Sequence, residues 1–213
     1  MKHPTYIINL ADRKDRRIHM ESVFKHRSEF QLFFFDAIRQ TPGSLGLFLS
    51  FKSIVQYAQQ SGLEYVIICE DDHNFTGQYT PEYLNKIITK GIAHGFDIIV
   101  GGMSNVHDVL FLEDDLIWLS GFTGLQFTIV FSGFYQQILN YSLPYGANFD
   151  LELGQLSNNI YGCYPPISEQ ISFGYSDVTE KNTNYKVENY FENCIAKLNR
   201  LYKVSQYFDP VNR

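Results

Sequence analysis

The sequence predicts an α/β protein with a mainly parallel central sheet and helices on both faces, and three observations carry that prediction. Short apolar runs alternate with amphipathic helical patterns through roughly residue 100, as strands joined by crossover helices would. The run Tyr65-Val66-Ile67-Ile68-Cys69 is apolar throughout, as expected of a strand covered on both faces. Three acids follow it at once, Glu70-Asp71-Asp72, at the carboxyl end of that strand, the edge where open α/β sheets hold their ligands.

Taken in order, Thr5 to Leu10 reads as a first buried strand, and Asp12 is a candidate cap for a helix carrying Met20, Val23 and Phe24 on one face. Phe30 to Phe35 is a second apolar run ending at Asp36, and Thr41-Pro42-Gly43-Ser44 interrupts the chain as a turn. Phe48, Phe51, Ile54, Val55 and Ala58 then recur at helical spacing up to Ser61-Gly62, where glycine supplies a left-handed stop. After the acidic triplet, Thr80-Pro81-Glu82 opens another helix with a cap, a first-turn proline and a first-turn acid, and Asp97 to Val100 follows as a strand. The second half is less regular. Leu125 to Phe131 reads as a strand, Gly133 to Tyr141 and Phe149 to Ser157 as helices, and Ile160 to Tyr164 as a short strand before Pro165-Pro166. A last helix carries Val187, Phe191, Ile195, Leu198 and Tyr202 and is expected on the outside of the core.

No repeat or Gly/Ser/Pro-rich linker divides the chain, so residues 1–213 are read as one domain. A hydrophobic share of 45% with 19% charged residues is that of an ordinary globular protein. The formal net charge of −6 argues against broad nucleic-acid binding, which needs clustered Lys and Arg, so any anionic ligand must be held locally. Cys69, Cys163 and Cys194 are odd in number and form no Cys-x-x-Cys pair, which fits a reducing compartment. The apolar run near Met1 is too short for a signal peptide or a span, and no later run is long enough to cross a membrane. The expectation is a cytoplasmic protein whose membrane contact, if any, is peripheral. The 18 Phe and 15 Tyr are expected mainly in the core, with some rings lining a groove.

Three consecutive carboxylates after a buried strand repel one another, and a divalent cation with hard oxygen ligands is the simplest offset. The competing reading is an acidic loop in water or a helix-capping turn. Asn9, Asp12, Arg13, Arg16 and Arg17 fall at the same edge, where an arginine fork and a helix N-terminus attract phosphate; ordinary surface salt bridges are the alternative. Asp150 is either the cap of its helix or a general base for an attacking hydroxyl. The six histidines show no zinc spacing, and His73, beside the acids, is a loop histidine or a ligand. Phosphate-loop, dinucleotide and nucleophile-elbow fingerprints are absent from the sequence.

Several segments together resemble glycosyltransferase family 25, whose members include lipooligosaccharide galactosyltransferases and relatives that glycosylate collagen. They are Tyr6 to Leu10 with Asp12 to Arg17, Gly43 to Lys52, Ser61 to Asp72, Phe149-Asp150, Tyr164 to Gln170, and Tyr175-Ser176-Asp177-Val178. The resemblance implies a GT-A-like nucleotide-sugar-binding fold, Mn²⁺ or Mg²⁺, a UDP-sugar donor such as UDP-galactose, and inverting transfer to a glycan or lipid-linked saccharide. Lipopolysaccharide or surface-polysaccharide synthesis at the inner membrane face is the implied setting. Glu70 and Asp72 are then the metal ligands, and Asp150 is the catalytic residue. Asn9, Arg13, Arg16, Arg17 and Asp71, with Gln170 and Asp177 from the closing segments, are the donor-binding candidates. The donor-binding half spans about residues 1–105 and the acceptor-side half about 106–213. Where the family has Gly-Cys followed by Ser-His, this chain has Gly46-Leu47 and Ser50-Phe51, which puts turnover in question and keeps open a nucleotide- or glycan-binding module without catalysis.

Overall fold

The computed structural model describes residues 2–112, 115–174 and 187–207. Its elements are β1 (His3–Asn9), α1 (Lys14–Phe24), β2 (Phe30–Asp36), α2 (Gly43–Gln60), β3 (Tyr65–Glu70), β4 (His73–Phe75), α3 (Pro81–His94) and β5 (Ile98–Val100). There follow β6 (Asn105–Val106), β7 (Val109–Phe111), β8 (Leu116–Leu119), β9 (Phe122–Thr123), β10 (Phe127–Phe131), α4 (Ser132–Asn140), α5 (Phe149–Gln155), β11 (Ile160–Cys163), β12 (Ser168–Gln170) and α6 (Val187–Gln206).

An eight-stranded sheet of order β2-β1-β3-β10-β5-β11-β8-β7 forms the centre. Six of its strands run one way, and β10 and β8 are reversed, so the fold is mixed α/β with a largely parallel sheet. β10 enters from the irregular second half and slots antiparallel between β3 and β5, with Phe127 opposite Cys69 and Thr128 opposite Val100. An antiparallel neighbour needs no crossover helix, which is why the strand–helix alternation ends where these strands begin.

Helices cover both faces. On one, Phe48, Phe51 and Ile54 of α2 pack with Phe134 of α4, Phe149 of α5 and Leu198 of α6; on the other, Met20 and Phe24 of α1 pack with Leu84 and Ile87 of α3. Successive residues of β1 divide between the two cores, Ile7 to one and Ile8 to the other, as the strand period requires. Cys69, Cys163 and Cys194 are free and buried. Among the described residues no helix is long and apolar enough to cross a membrane.

Local chemistry sets the helix ends. Thr80 accepts the Tyr83 N–H, Pro81 opens α3, and Gly95 closes it with φ 65°. α1 differs from its expected form: Arg13 occupies the capping position and makes no side-chain capping bond, while Asp12 is held by Arg39 Nη2 at 2.7 and 2.8 Å. α5 is capped by Asn148, which accepts from the N–H groups of Asp150 and Leu151, so the Asp150 carboxylate is released from capping.

Candidate functional site

The chain steps from β1 to β2 on one side and returns to β3 on the other, which makes the crevice at the carboxyl ends of β1 and β3 a topological switch point. A cavity of about 1020 Å³ opens there. Glu70, Asp71 and Asp72 lie on its wall, together with Arg16, Asp150 and Gln170.

The three acids have different surroundings. Asp71 bridges the crevice: its Oδ2 accepts from Asn9 Nδ2 at 2.8 Å and its Oδ1 from Arg16 Nη1 at 2.7 Å. Asp72 Oδ2 accepts from Gln170 Nε2 at 2.7 Å and from Arg16 Nη1 at 3.2 Å, while its Oδ1 is buried with no hydrogen-bond partner. The Glu70 carboxylate, on a half-buried residue, has no hydrogen-bond partner among the described residues, while the Glu70 N–H donates to the Gln126 carbonyl. Burial raises the Asp72 carboxyl to about 6, with Arg16 and the Gln170 bond pulling the other way. Burial also drives Glu70 well above the usual carboxylate range, reinforced by the charges of Asp72, Asp150 and Asp71.

Asp150 stands on the same wall, close enough for its charge to act on Glu70. Its Oδ2 accepts the Gly124 N–H at 2.7 Å, and burial raises its carboxyl despite that bond. Gly124 has φ 113°, a conformation that suits glycine, and it aims this N–H at Asp150. Glu152 points elsewhere: it accepts a bond from the Tyr141 hydroxyl and does not line the cavity.

The remaining expected site residues separate into support and surface. Asn9 is buried beneath Asp71, where its Nδ2 also reaches the Arg13 carbonyl at 3.2 Å; neither Asn9 nor Arg13 lines the cavity. Arg17 sits on the outer side of α1, paired with Glu21 at 3.2 Å and stacked over Phe34, because the helix turns Arg16, Met20 and Phe24 inward. Asp177 and its segment lie outside the described residues. His73 is fully buried instead of lying in an exposed loop: its Nδ1 meets Ser168 Oγ at 2.8 Å and its ring packs on Phe75 and Phe127. Burial depresses its basicity well below the ordinary value, so it is held neutral away from the cavity.

No family model and no curated protein matches the chain. Among solved structures it is similar to A197 from STIV, with a TM-score of 0.54 and 12% identity over 83% of this chain and 87% of that one. That likeness bears on the fold alone. Below a TM-score of 0.5 there are distant similarities to UDP-glucose pyrophosphorylase complexed with UDP-glucose (0.49, 12% identity, 92% of this chain, 81% of that one). A mutant Drosophila beta-1,4-galactosyltransferase 7 in complex with manganese, UDP-Gal and xylobiose is similar at the same distance (0.46, 11% identity, 87% and 77%).

The two apolar residues of α2 at which the sequence resemblance breaks off, Leu47 and Phe51, lie in different surroundings. Phe51 is 1% exposed and packs edge-on against Phe149, so it belongs to the core and offers nothing to the cavity. Leu47 does line the cavity. Ser50 ties the α2 entrance together, accepting the Ile38 N–H and donating to the Gly46 carbonyl, each at 2.8 Å. Gly46 allows this closeness, since a Cβ there would stand 2.4 Å from the Ile38 oxygen.

The donor set suits a hard cation. Its atoms are all oxygens, one of them buried without a partner, and one or two carboxylates with substrate phosphates are the usual surroundings of Mg²⁺. Among the described residues no group of three or more His, Cys, Asp or Glu is arranged as a ready metal cage. Asp71, with both oxygens engaged by protein donors, leaves Glu70 and Asp72 as a two-carboxylate pair.

Sequence reasoning missed the contribution of α6. The helix does pack outside the core through Phe191, Cys194 and Leu198, but Tyr190, Asn193, Lys197 and Arg200 also line the cavity. The available signal was a polar stripe at positions 190, 193, 197 and 200, three and four residues apart beside the apolar one.

Proposed function

We propose that the chain is a metal-dependent, inverting glycosyltransferase of the family 25 type, moving galactose or a related sugar from a UDP-sugar to a glycan acceptor. The observation that carries this reading is the cavity at the β1/β3 switch point, which is lined by Glu70, by Asp72 with its unpartnered Oδ1, and by Asp150, whose charge acts on Glu70. Glu70 and Asp72 would hold Mn²⁺ or Mg²⁺, which when bound supplies Lewis-acid neutralisation of the departing diphosphate. Arg16 and Gln170 orient Asp72, and Asn9 orients Asp71. Asp150, fixed by the Gly124 N–H, takes the proton from the acceptor hydroxyl. The donor half is then about residues 1–105 and the acceptor half about 106–213. Surface-polysaccharide synthesis in the cytoplasm, next to the inner membrane face, is the setting that the family resemblance suggests.

Calorimetric titration with UDP, with and without Mn²⁺, tests the donor site in wild type and Asp72→Asn. Binding that requires Mn²⁺ and disappears in the variant supports the reading, whereas the absence of UDP binding under every condition sinks it. A second reading, a nucleotide- or glycan-binding module without turnover, is favoured by Leu47, an apolar residue on the cavity wall where the family has cysteine. It predicts UDP affinity with neither transfer nor hydrolysis of any UDP-sugar.

A further inference from the structure

The cavity has a second charged wall. Lys197 and Arg200 of α6 line it, three residues apart on one helix face, in a chain of net charge −6. Lys197 Nζ donates to the Val106 carbonyl at 2.8 Å, which fixes the ammonium against β6 with two N–H groups to spare. β6 pairs with β9, Val106 opposite Phe122, and β9 runs into Gly124, whose N–H holds Asp150. The cationic wall is therefore anchored to the hairpin that positions the candidate base. The donor-side acids are held by Asn9 of β1 and Arg16 of α1, and Asp72 also by Gln170 of β12, an element on which α6 packs as well. A volume of about 1020 Å³ is at the upper end for a single small-molecule site, which leaves room for a second sugar beside a nucleotide donor.

We propose that Lys197 and Arg200 form the acceptor subsite and select a sugar that carries an anionic group, a phosphate or a carboxylate. This deepens the glycosyl-transfer reading and rests on it. Lys197 supplies a fixed point charge, and Arg200 supplies the planar fork that matches either oxyanion. The sugar's anionic group sits against α6 while a hydroxyl faces Asp150.

The test titrates glucose, glucose 6-phosphate and glucuronate into the full chain, with Mn²⁺ and UDP and again without nucleotide. It uses wild type, Lys197→Met/Arg200→Gln, and Arg200→Gln alone, a change at an exposed position. Charge-assisted hydrogen bonds predict that wild type binds at least one anionic sugar roughly tenfold or more tightly than glucose. The double variant should reduce that preference to about twofold or less, Arg200→Gln should act in the same direction, and affinity for UDP with Mn²⁺ should not move. Whether the phosphate or the carboxylate sugar binds better identifies the selected group. Equal binding of the three sugars to wild type, or a preference kept by the double variant, overturns the proposal. Loss of UDP affinity in the double variant assigns the two cations to the donor diphosphate and overturns it too. A wild type that binds no UDP but still prefers the anionic sugars fails the glycosyl-transfer reading while the anion subsite stands.

Discussion

Replacing Asp72 by asparagine should stabilise the cation-free protein, even though it removes the residue on which the proposed donor site depends. The Asp72 carboxyl is raised from its ordinary 3.8 to about 6, chiefly by burial and in spite of Arg16 and Gln170. The folded state therefore binds this proton more tightly than the unfolded state does. The stability that the group contributes is fully present below its unfolded value near 4 and is lost as pH rises through about 6. At about 1.36 kcal/mol for each pH unit, the gap between 3.8 and about 6 amounts to about 3 kcal/mol. Asparagine has no such charge to bury. Its advantage should be absent below about pH 4, grow between about pH 4 and 6, and level off above, reaching about 1–3 kcal/mol once the weakened Arg16 contact is allowed for. Urea unfolding in EDTA at several pH values measures the difference. Saturating Mn²⁺ should then stabilise wild type and leave Asp72→Asn unmoved. An Asp72→Asn protein less stable than wild type at pH 8 in EDTA would refute the reasoning, because the buried carboxylate would then be a net support of the fold.

Further predictions address the base, the core and the α2 entrance. Asp150→Asn should lower sugar transfer by about 10²–10⁴-fold while UDP affinity in Mn²⁺ stays within about twofold of wild type; a variant that transfers at near wild-type rate would remove Asp150 from the mechanism. Phe51→Ala should cost about 3–5 kcal/mol in urea unfolding, since the ring is fully buried against Phe149, and a loss below about 1 kcal/mol would contradict its place in the core. Gly46→Ala should cost about 1–3 kcal/mol by thermal or urea unfolding, because the added methyl meets the Ile38 carbonyl at 2.4 Å and the backbone must move.

How far the sequence foretold the structure depended on how local the determining physics is. The start of α3 is written in Thr80 and Pro81, and the structure uses both as expected, with Gly95 closing the helix in the left-handed conformation. β3 and its acids were legible because an apolar run ends abruptly in charge. The direction of β10 was not legible, since it is fixed by pairing with Cys69 on one side and Val100 on the other, far away in sequence. His73 shows the same limit. Its neighbours suggest an exposed loop, yet β4 pairs with β12, which brings Ser168 to the ring, and the ring packs against Phe127 of β10. The spacing of Lys197 and Arg200 places them on one polar stripe of α6, but that the stripe faces the cavity is set by the docking of α6 on β6 and β12, far away in sequence.

The acidic triplet looks uniform in sequence, but its surroundings divide the work, and adjacent aspartates should respond to the same substitution with opposite signs. Asp71 spends both oxygens on protein donors, Asn9 at 2.8 Å and Arg16 at 2.7 Å, and so joins β1 and α1 to the end of β3. Asparagine at position 71 can keep one acceptor but turns an amide toward the other donor, so a charge-assisted bond is lost and a buried donor is left short. The expected cost is about 1.5–3 kcal/mol. Asp72 keeps one buried oxygen unpartnered, and its charge is carried at a net loss that the proposed cation would offset. Asp71→Asn should thus lower the urea midpoint at pH 8 in EDTA while Asp72→Asn raises it, and Mn²⁺ should then raise the wild-type midpoint toward or past that of Asp72→Asn, which stays where it was. If both variants move the midpoint in the same direction, the acids are not divided into a structural clamp and a ligand, and the metal pair Glu70 and Asp72 loses its physical basis.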